Sequence, residues 1–467
     1  MVTTLQLKTP HTIKLEFSDE PVTSFGGLVL AERAGARLGL WRALAGILPQ
    51  RQGDYDWLTA IKSMIMGLLS GAQGTYATQA LREDRALLSL LSLAGAPEEA
   101  TAWRMLRPLG ELPEQCSLAR VQTLAARRAL EKMARPDLLL EGFVPVFADG
   151  TLLEGSPARE GTKTIGDKGR GLMWSTVFVG PILAAQRLAG PGQGEQSCVR
   201  ALLEQVDRSI LRPLKLHAQA LVLADSLHGD DPTLRQLEAA RLHYVVGANK
   251  LTRTAKTLME QPEVVWEDRG PRRRLGWSAA GVCLCWLQCE DWAQKRLLVG
   301  RRWIKEGEMI WNYAGVLTDL RERDVRPLLQ RGLSFARAIW RLYDAKAGME
   351  TQFKDGLCDL GLHHPPCREH LRNQGFYAVG ALAWTLGVAV DVLGGAGGER
   401  GSLARKNGGE RARPTPRRMR LWRLRRELLA LPGRIARHAR ELRVQLLGLG
   451  EGARQLFERY WGQLCRC

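Results

Sequence analysis

Two buried-strand patterns, each ending on an aspartate, constrain this chain more than any other feature. Residues 143–148 (FVPVFA) form a short apolar run that stops at Asp149, Gly150 and Thr151; residues 220–224 (ALVLA) form another that stops at Asp225. Short continuous apolar runs bounded by turn signals read as strands covered on both faces, the habit of parallel sheets. Around them the periodicity alternates. Residues 173–185 (MWSTVFVGPILAA) read as strand with a turn at Gly180 and Pro181, 198–210 as helix, 232–241 as helix with Pro232 placed early, and 243–247 (HYVVG) as strand. Such β–α–β alternation predicts an α/β core. Strand ends are where these folds expose reactive groups, because the sheet fixes the backbone while the loop frees the side chain.

The flanking regions read differently. Residues 1–135 carry apolar positions at helical spacing (36–48, 57–69, 77–93, 116–133), with Pro108 and Pro113 marking a break, so a helical N-terminal domain that binds DNA, mediates dimerisation or simply packs is expected. Residues 136–250 and 314–393 read as the two parts of the α/β core. Between them, 251–313 breaks into short strand-like stretches separated by polar turns and holds Trp266, Trp277, Trp286, Trp292, Trp303 and Trp311; it reads as a β-rich insertion. Helices are expected over 325–343, 349–359 and 374–393. A Gly-, Arg- and Pro-rich linker is expected over 394–416, and a basic C-terminal segment over 417–467 whose stretch 417–440 has a basic helical pattern interrupted near Pro432 and Gly433. The apolar run 376–393 contains Gly380, Gly387 and Asp391 and reads as a buried helix, so no membrane partner is expected.

Charge points to the partner. The chain has a formal net charge of +18, and from Gly401 onward 17 Lys and Arg face 5 Asp and Glu, a net of +12. Two thirds of the excess in one seventh of the chain favours a dedicated phosphate-contacting segment, with Arg417, Arg418, Arg420, Arg423, Arg425 and Arg426 as candidates. Cysteine usage shows no paired framework: Cys283, Cys285 and Cys289 lack the spacing of a zinc site and read as core residues, a usage suited to a reducing cytosol. His363 and His364 precede Pro365 and Pro366 and read as solvated loop residues.

Carboxylates at two strand ends suit hard divalent cations such as Mg²⁺ or Mn²⁺. Phosphodiester chemistry on two such ions needs at least one more acid from a distant part of the chain. Glu350 is the best candidate: on a helix, Tyr343, Lys346, Glu350, Phe353 and Lys354 recur at the spacing of one face, an acid among basic residues as a DNA phosphate would require. Taken singly, each acid reads equally as a turn former, a cap or a solvated side chain.

These residues resemble the DDE transposases of bacterial insertion sequences, in the large, IS-four-like group with a YREK signature. FADGT around Asp149 is similar to the first-Asp motif, LVLADSLHG around Asp225 to the second, and YDAKAGMETQFKDGL around Glu350 to the Glu helix; GLHHPPC, HLRNQGFYAVGALAWTLG and the upstream GLLSGAQGTYATQALREDRALLSLL extend the likeness over most of the chain. Tyr343 stands where the signature Tyr does. Lys346 replaces the signature Arg, keeping the charge but not the bidentate fork, and Leu357 stands at the signature Lys, with Lys354 one turn after Glu350 as a substitute. This is the pattern of a divergent branch.

The resemblance implies an RNase H-like catalytic core interrupted by a β-strand insertion that grips DNA. It implies Asp149, Asp225 and Glu350 as catalytic metal ligands for two Mg²⁺ or Mn²⁺ ions, and phosphate contacts from Tyr343, Lys346 and Lys354. The partners implied are the transposon's terminal inverted repeats and target double-stranded DNA, met by a homodimer on paired ends in the bacterial cytoplasm at the nucleoid. End cleavage would free a 3′-hydroxyl that attacks target DNA by transesterification. The rival readings are an RNase H-fold DNA nuclease without strand transfer and a non-catalytic DNA-binding relic of a transposase; three intact acids argue against the second.

Overall fold

The computed structural model describes residues 20–164, 169–190, 192–249, 251–272, 275–395, 418–438 and 441–466, and not the side chains of Leu251, Glu350, Arg437 and His438. The fold is mixed α/β, built around a large mixed sheet. Its strands are β1 (Val144–Glu154), β2 (Lys163–Thr164), β3 (Arg170–Val179), β4 (Ile182–Leu188), β5 (Ala220–Ala224), β6 (His243–Gly247), β7 (Glu267–Asp268), β8 (Trp277–Leu287), β9 (Arg296–Lys305) and β10 (Asn312–Thr318). The order is β2-β3-β1-β5-β6-β10-β9-β8-β7, with β4 on the same edge of β3 as β2. β1, β5 and β6 are parallel neighbours; β3 runs antiparallel to β1 and β4 antiparallel to β3.

The apolar runs that signalled β1 and β5 are buried throughout over 144–148 and 220–224, as parallel strands covered by helices must be. β1 does not stop at Asp149, however. Its antiparallel partner β3 is long, and the ladder continues past Asp149 (paired with Thr176) to Glu154 (paired with Gly171). What stops at that level is the parallel ladder, whose last pair is Ala148 with Ala224.

The strands after residue 251 do not form a separate sheet. β10 pairs antiparallel with β6 from Val316–Gly247 to Thr318–Val245, and β9, β8 and β7 follow in turn. Most of the Trp-rich segment therefore extends the central sheet. Trp266 and Trp292 are buried, Trp277 and Trp303 stack at 5.1 Å, and Trp286 is the exposed one of the six. Cys283 and Cys289 are buried.

The apolar helix His370–Gly394 is the axis of the helical half. It is long and apolar enough to cross a membrane, but 94% of its most apolar window is buried inside the fold. Helices Trp57–Ser70, Glu99–Glu111 and Leu118–Lys132, strand β4 and helix Glu451–Cys465 all pack on it. Glycine sets the closest crossing: a Cβ at Gly375 would collide with the carbonyl of Leu106, and one at Gly110 with that of Leu371. The helices before residue 135 thus share one apolar core with the sheet.

The basic stretch 417–440 differs from its helical expectation. Only Leu421–Leu424 and the π-helical turn Arg425–Leu429 are helical. After Pro432 the chain forms strand Gly433–His438, which pairs with Glu441–Leu446 on one side and Val22–Thr23 on the other. Proline ends the helix and two ladders take up the backbone groups it would have satisfied. Arg417 and residues 396–416 of the expected linker lie outside the described residues.

Three of the candidate DNA-binding arginines are committed inside the protein. Arg418, 9% exposed, pairs with the fully buried Asp355. Arg420 bonds to Asp359 at 2.6 Å. Arg425 donates to the carbonyls of Leu69 (2.9 Å), Leu68 (3.2 Å) and Asp359. Their charge satisfies acceptors within the protein. Arg423 and Arg426 are more exposed and share Glu427. Replacing Arg418 by Met leaves the Asp355 carboxylate without its main counterion and is expected to cost about 3–5 kcal/mol, the usual result of breaking a buried pair from one side. Adding Asp355→Asn should recover much of that loss. Urea unfolding measures both, and a single variant with the wild-type midpoint would rule the clamp out.

Candidate active site

Register brings the two aspartates together. Because Ala148 and Ala224 are paired, Asp149 and Asp225 are the next residues on adjacent parallel strands. Adjacent strands lie about 4.8 Å apart and residues in register face the same way, so the two side chains share one edge of the site. Asp149 is mostly buried. One of its oxygens accepts from the Gly150 amide at 2.9 Å and the other from Lys346 Nζ at 2.9 Å. Asp225 begins the turn Ser226–His228, and its Oδ1 accepts from the Leu227 amide at 3.0 Å. Its side chain is 37% exposed, so the capping role takes one oxygen and leaves the carboxylate open to solvent.

Helix Phe335–Asp344, capped by Ser334, delivers Tyr343 to this edge. The phenol oxygen lies over Gly247 at the end of β6, where a Cβ would be 3.0 Å from it and 2.7 Å from the Ser226 amide. Burial, with the nearby Asp225 and Asp149 charges behind it, pushes the Tyr343 hydroxyl up to about 12, so it stays a neutral donor. The expected single helix face through Glu350 is broken. A 3₁₀ turn, Ala345–Gly348, carries Lys346, and a new helix, Met349–Lys354, carries the backbone of Glu350. Gly348, a poor helix former, sits at the junction.

Tyr343 and Lys346 therefore reach the aspartates, but Lys346 is bonded to Asp149 rather than standing free for phosphate. Lys354 is exposed one turn beyond Glu350. Phe353 turns inward, edge-on to Phe178 at 6.0 Å, and Leu357 packs on the core, which accounts for an apolar residue at that position. His363 and His364 are exposed. The side chain of Glu350 lies outside the described residues.

Two residues were not picked out from the sequence. Glu195, the first residue of helix Glu195–Val206, turns its carboxyl in against Gly150, where a Cβ would collide with it. His228 is fully buried, with Nε2 3.3 Å from Glu195 Oε1 and 3.8 Å from Asp225 Oδ1. The legible signals were a His three residues after the second Asp and an acid in the first turn of the helix between the two aspartate strands.

The electrostatics follow from this crowding. Burial is the largest influence on Asp149 and pushes its carboxyl up; Asp225 and Glu195 push the same way, and Lys346 pulls it back. The donor set fits a hard divalent cation: carboxylate oxygens at a sheet edge, with an ammonium already drawn to one of them. Among the described residues, no three His, Cys, Asp or Glu side chains are arranged to hold one ion.

Residues 181–386 match the family model described as a transposase DDE domain. The match begins after Asp149 and takes in Asp225 and Glu350. No curated protein matches the chain in sequence. A solved structure of a piggyBac transposase synaptic complex with hairpin DNA aligns with 78% of this chain and 74% of its own, at 13% identity and a TM-score of 0.37.

The raised Asp149 carboxyl makes a stability prediction. The folded state penalises its ionised form, so the penalty is absent at low pH, where Asp149 is protonated folded and unfolded, and grows as pH rises from its ordinary 3.8 through the raised value. Asp149→Asn should melt at or above the wild type at pH 7 in EDTA, with the difference vanishing at acid pH. A variant that melts well below wild type at pH 7 contradicts this electrostatic account.

Proposed function

We propose that the chain is a DNA transposase with an RNase H-like catalytic core, in which Asp149, Asp225 and Glu350 hold Mg²⁺ or Mn²⁺ ions for a two-metal reaction. The observation that carries this reading is the register of β1 and β5, whose last pair, Ala148 with Ala224, makes Asp149 and Asp225 the next residues of the two neighbouring segments. The family match around Asp225 and Glu350 supports it, as does the strand order β4-β3-β1-β5-β6 for the core. Bound divalent ions supply activation of the attacking oxygen and stabilisation of the leaving one.

The chain's own residues do the rest. Asp149 and Asp225 present oxygens from a rigid edge, so little reorganisation is needed on loading. Tyr343, held neutral, donates to a phosphate oxygen beside the aspartates. Lys346 balances Asp149 at 2.9 Å, and with a cation held by that carboxylate its ammonium would be available to the DNA backbone. Lys354, Arg423 and Arg426 add salt-sensitive attraction from exposed positions. The substrate is the transposon's terminal inverted repeats, cut to a 3′-hydroxyl that is then joined to target DNA. A homodimer on paired ends, working at the nucleoid in a bacterial cytoplasm and belonging to a divergent YREK-type branch, completes the proposal.

The test uses the full chain with linear DNA carrying the sequences that flank its gene. With Mg²⁺ or Mn²⁺ the wild type should yield free 3′-ends and joined products. Asp149→Asn should retain DNA in a gel-shift assay and lose cleavage by at least about 100-fold, the scale on which positioned electrostatic groups act. Near-normal cleavage by that variant removes Asp149 from the site. Cleavage without joined product identifies a nuclease, and binding without any metal-dependent cleavage identifies a relic.

A further inference from the structure

Buried polar groups in folded proteins are almost always hydrogen-bonded, because an unpaired one has lost its water without a replacement partner. His228 departs from that rule. It is fully buried, and neither ring nitrogen makes a well-formed hydrogen bond to a described residue. The 3.3 Å approach of Nε2 to Glu195 Oε1 is short enough but off line, and Asp225 Oδ1 is 3.8 Å from the same nitrogen. An apolar residue of similar volume would serve packing better. The imidazole is instead aimed between two carboxylates at the edge where Asp149 and Asp225 meet.

Glu195 is equally poorly explained by local structure. An acid in the first turn of a helix is favoured by the helix dipole, but that role is met from solvent. This side chain is only 10% exposed, and it fills the space left by the missing side chain of Gly150, next to Asp149. Its charge raises the Asp149 carboxyl together with that of Asp225. Asp149 thus has two carboxylates near enough to act on its charge, Asp225 at the end of β5 and Glu195 from a helix lying between the two aspartates in sequence.

We propose that Glu195 and His228 are a positioning pair for the cation site, in which Nε2 of the buried His228 faces both Glu195 and Asp225 and, by donating to one of them, orients the acids beside Asp149. The inference rests on the metal-dependent reading of this site. Glu195 would add negative charge that favours a divalent cation, and His228 would set the spacing of the acids by donating to one of them. A histidine that donates to a carboxylate constrains that carboxylate's orientation, the device by which outer residues tune metal sites. Residues bonded as a unit lose their effect together, so the two should not act additively.

The test is Mn²⁺ binding to the full chain, followed by the electron paramagnetic resonance signal of free Mn²⁺, with no DNA and no turnover. Glu195→Gln keeps the shape and removes the charge. It should weaken Mn²⁺ binding about tenfold, equivalent to roughly 1.4 kcal/mol, while gel-shift affinity for DNA and the thermal midpoint stay near wild type. His228→Gln should weaken Mn²⁺ binding in the same direction, and the double variant should be no weaker than Glu195→Gln alone. Wild-type Mn²⁺ affinity in Glu195→Gln, or additive losses in the double variant, overturns the pairing. In that case Asp149→Asn and Asp225→Asn still lose Mn²⁺, and the functional reading stands. A wild-type chain that binds no Mn²⁺ overturns both.

Discussion

The parallel pairing of β1 with β5 is the constraint on which the site depends. A one-residue slip in that ladder would move Asp149 out of step with Asp225 and send its side chain to the other face of the sheet. Burial on both faces makes the register hard to slip, since every residue from Val144 to Ala148 and from Ala220 to Ala224 is packed. The same pairing ends where the acids begin, so the sheet supplies rigidity up to Ala148 and Ala224 and solvent access one residue later. Tyr343 approaches over Gly247 because β6, the next parallel strand, ends at the same level.

Gathering acids at a sheet edge costs stability, and the surroundings show how the cost is contained. Lys346 sits on Asp149, the Leu227 amide takes one oxygen of Asp225, and Glu195 is set against the bare backbone of Gly150. None of these contacts fully neutralises the cluster: burial and the neighbouring charges still leave the Asp149 carboxyl raised. A pocket left electrostatically unsatisfied is one that favours a cation, and the conflict between local stability and charge is the mark of a functional site in an otherwise well-packed core.

Much of this was legible in the sequence, for identifiable reasons. The apolar runs before Asp149 and Asp225 reported burial directly, and the long run before Gly394 reported a core helix, because Gly380, Gly387 and Asp391 sit badly with a membrane span. Pairing was not legible. That β1 runs on to Glu154 depends on the length of β3, and that β8, β9 and β10 join the central sheet depends on the free edge of β6. The partners of the basic stretch were not legible either, because arginine spacing carries no information about them: Asp355 and Asp359, which pair with Arg418 and Arg420, lie about 60 residues away in the chain. Glu195 and His228 were missed because neither belongs to an apolar pattern or a motif with metal-ligand spacing.

The clamp of Arg418 and Arg420 on Asp355 and Asp359 ties the segment 418–438 to the turn that follows Glu350. It imposes an order of assembly. During synthesis, β1 and β5 can pair and set the two aspartates long before Arg418 exists, but the turn beyond Glu350 keeps buried acids without counterions until that arginine arrives. A chain shortened before Arg418 would keep Asp355 buried without that counterion, on the turn that follows Glu350.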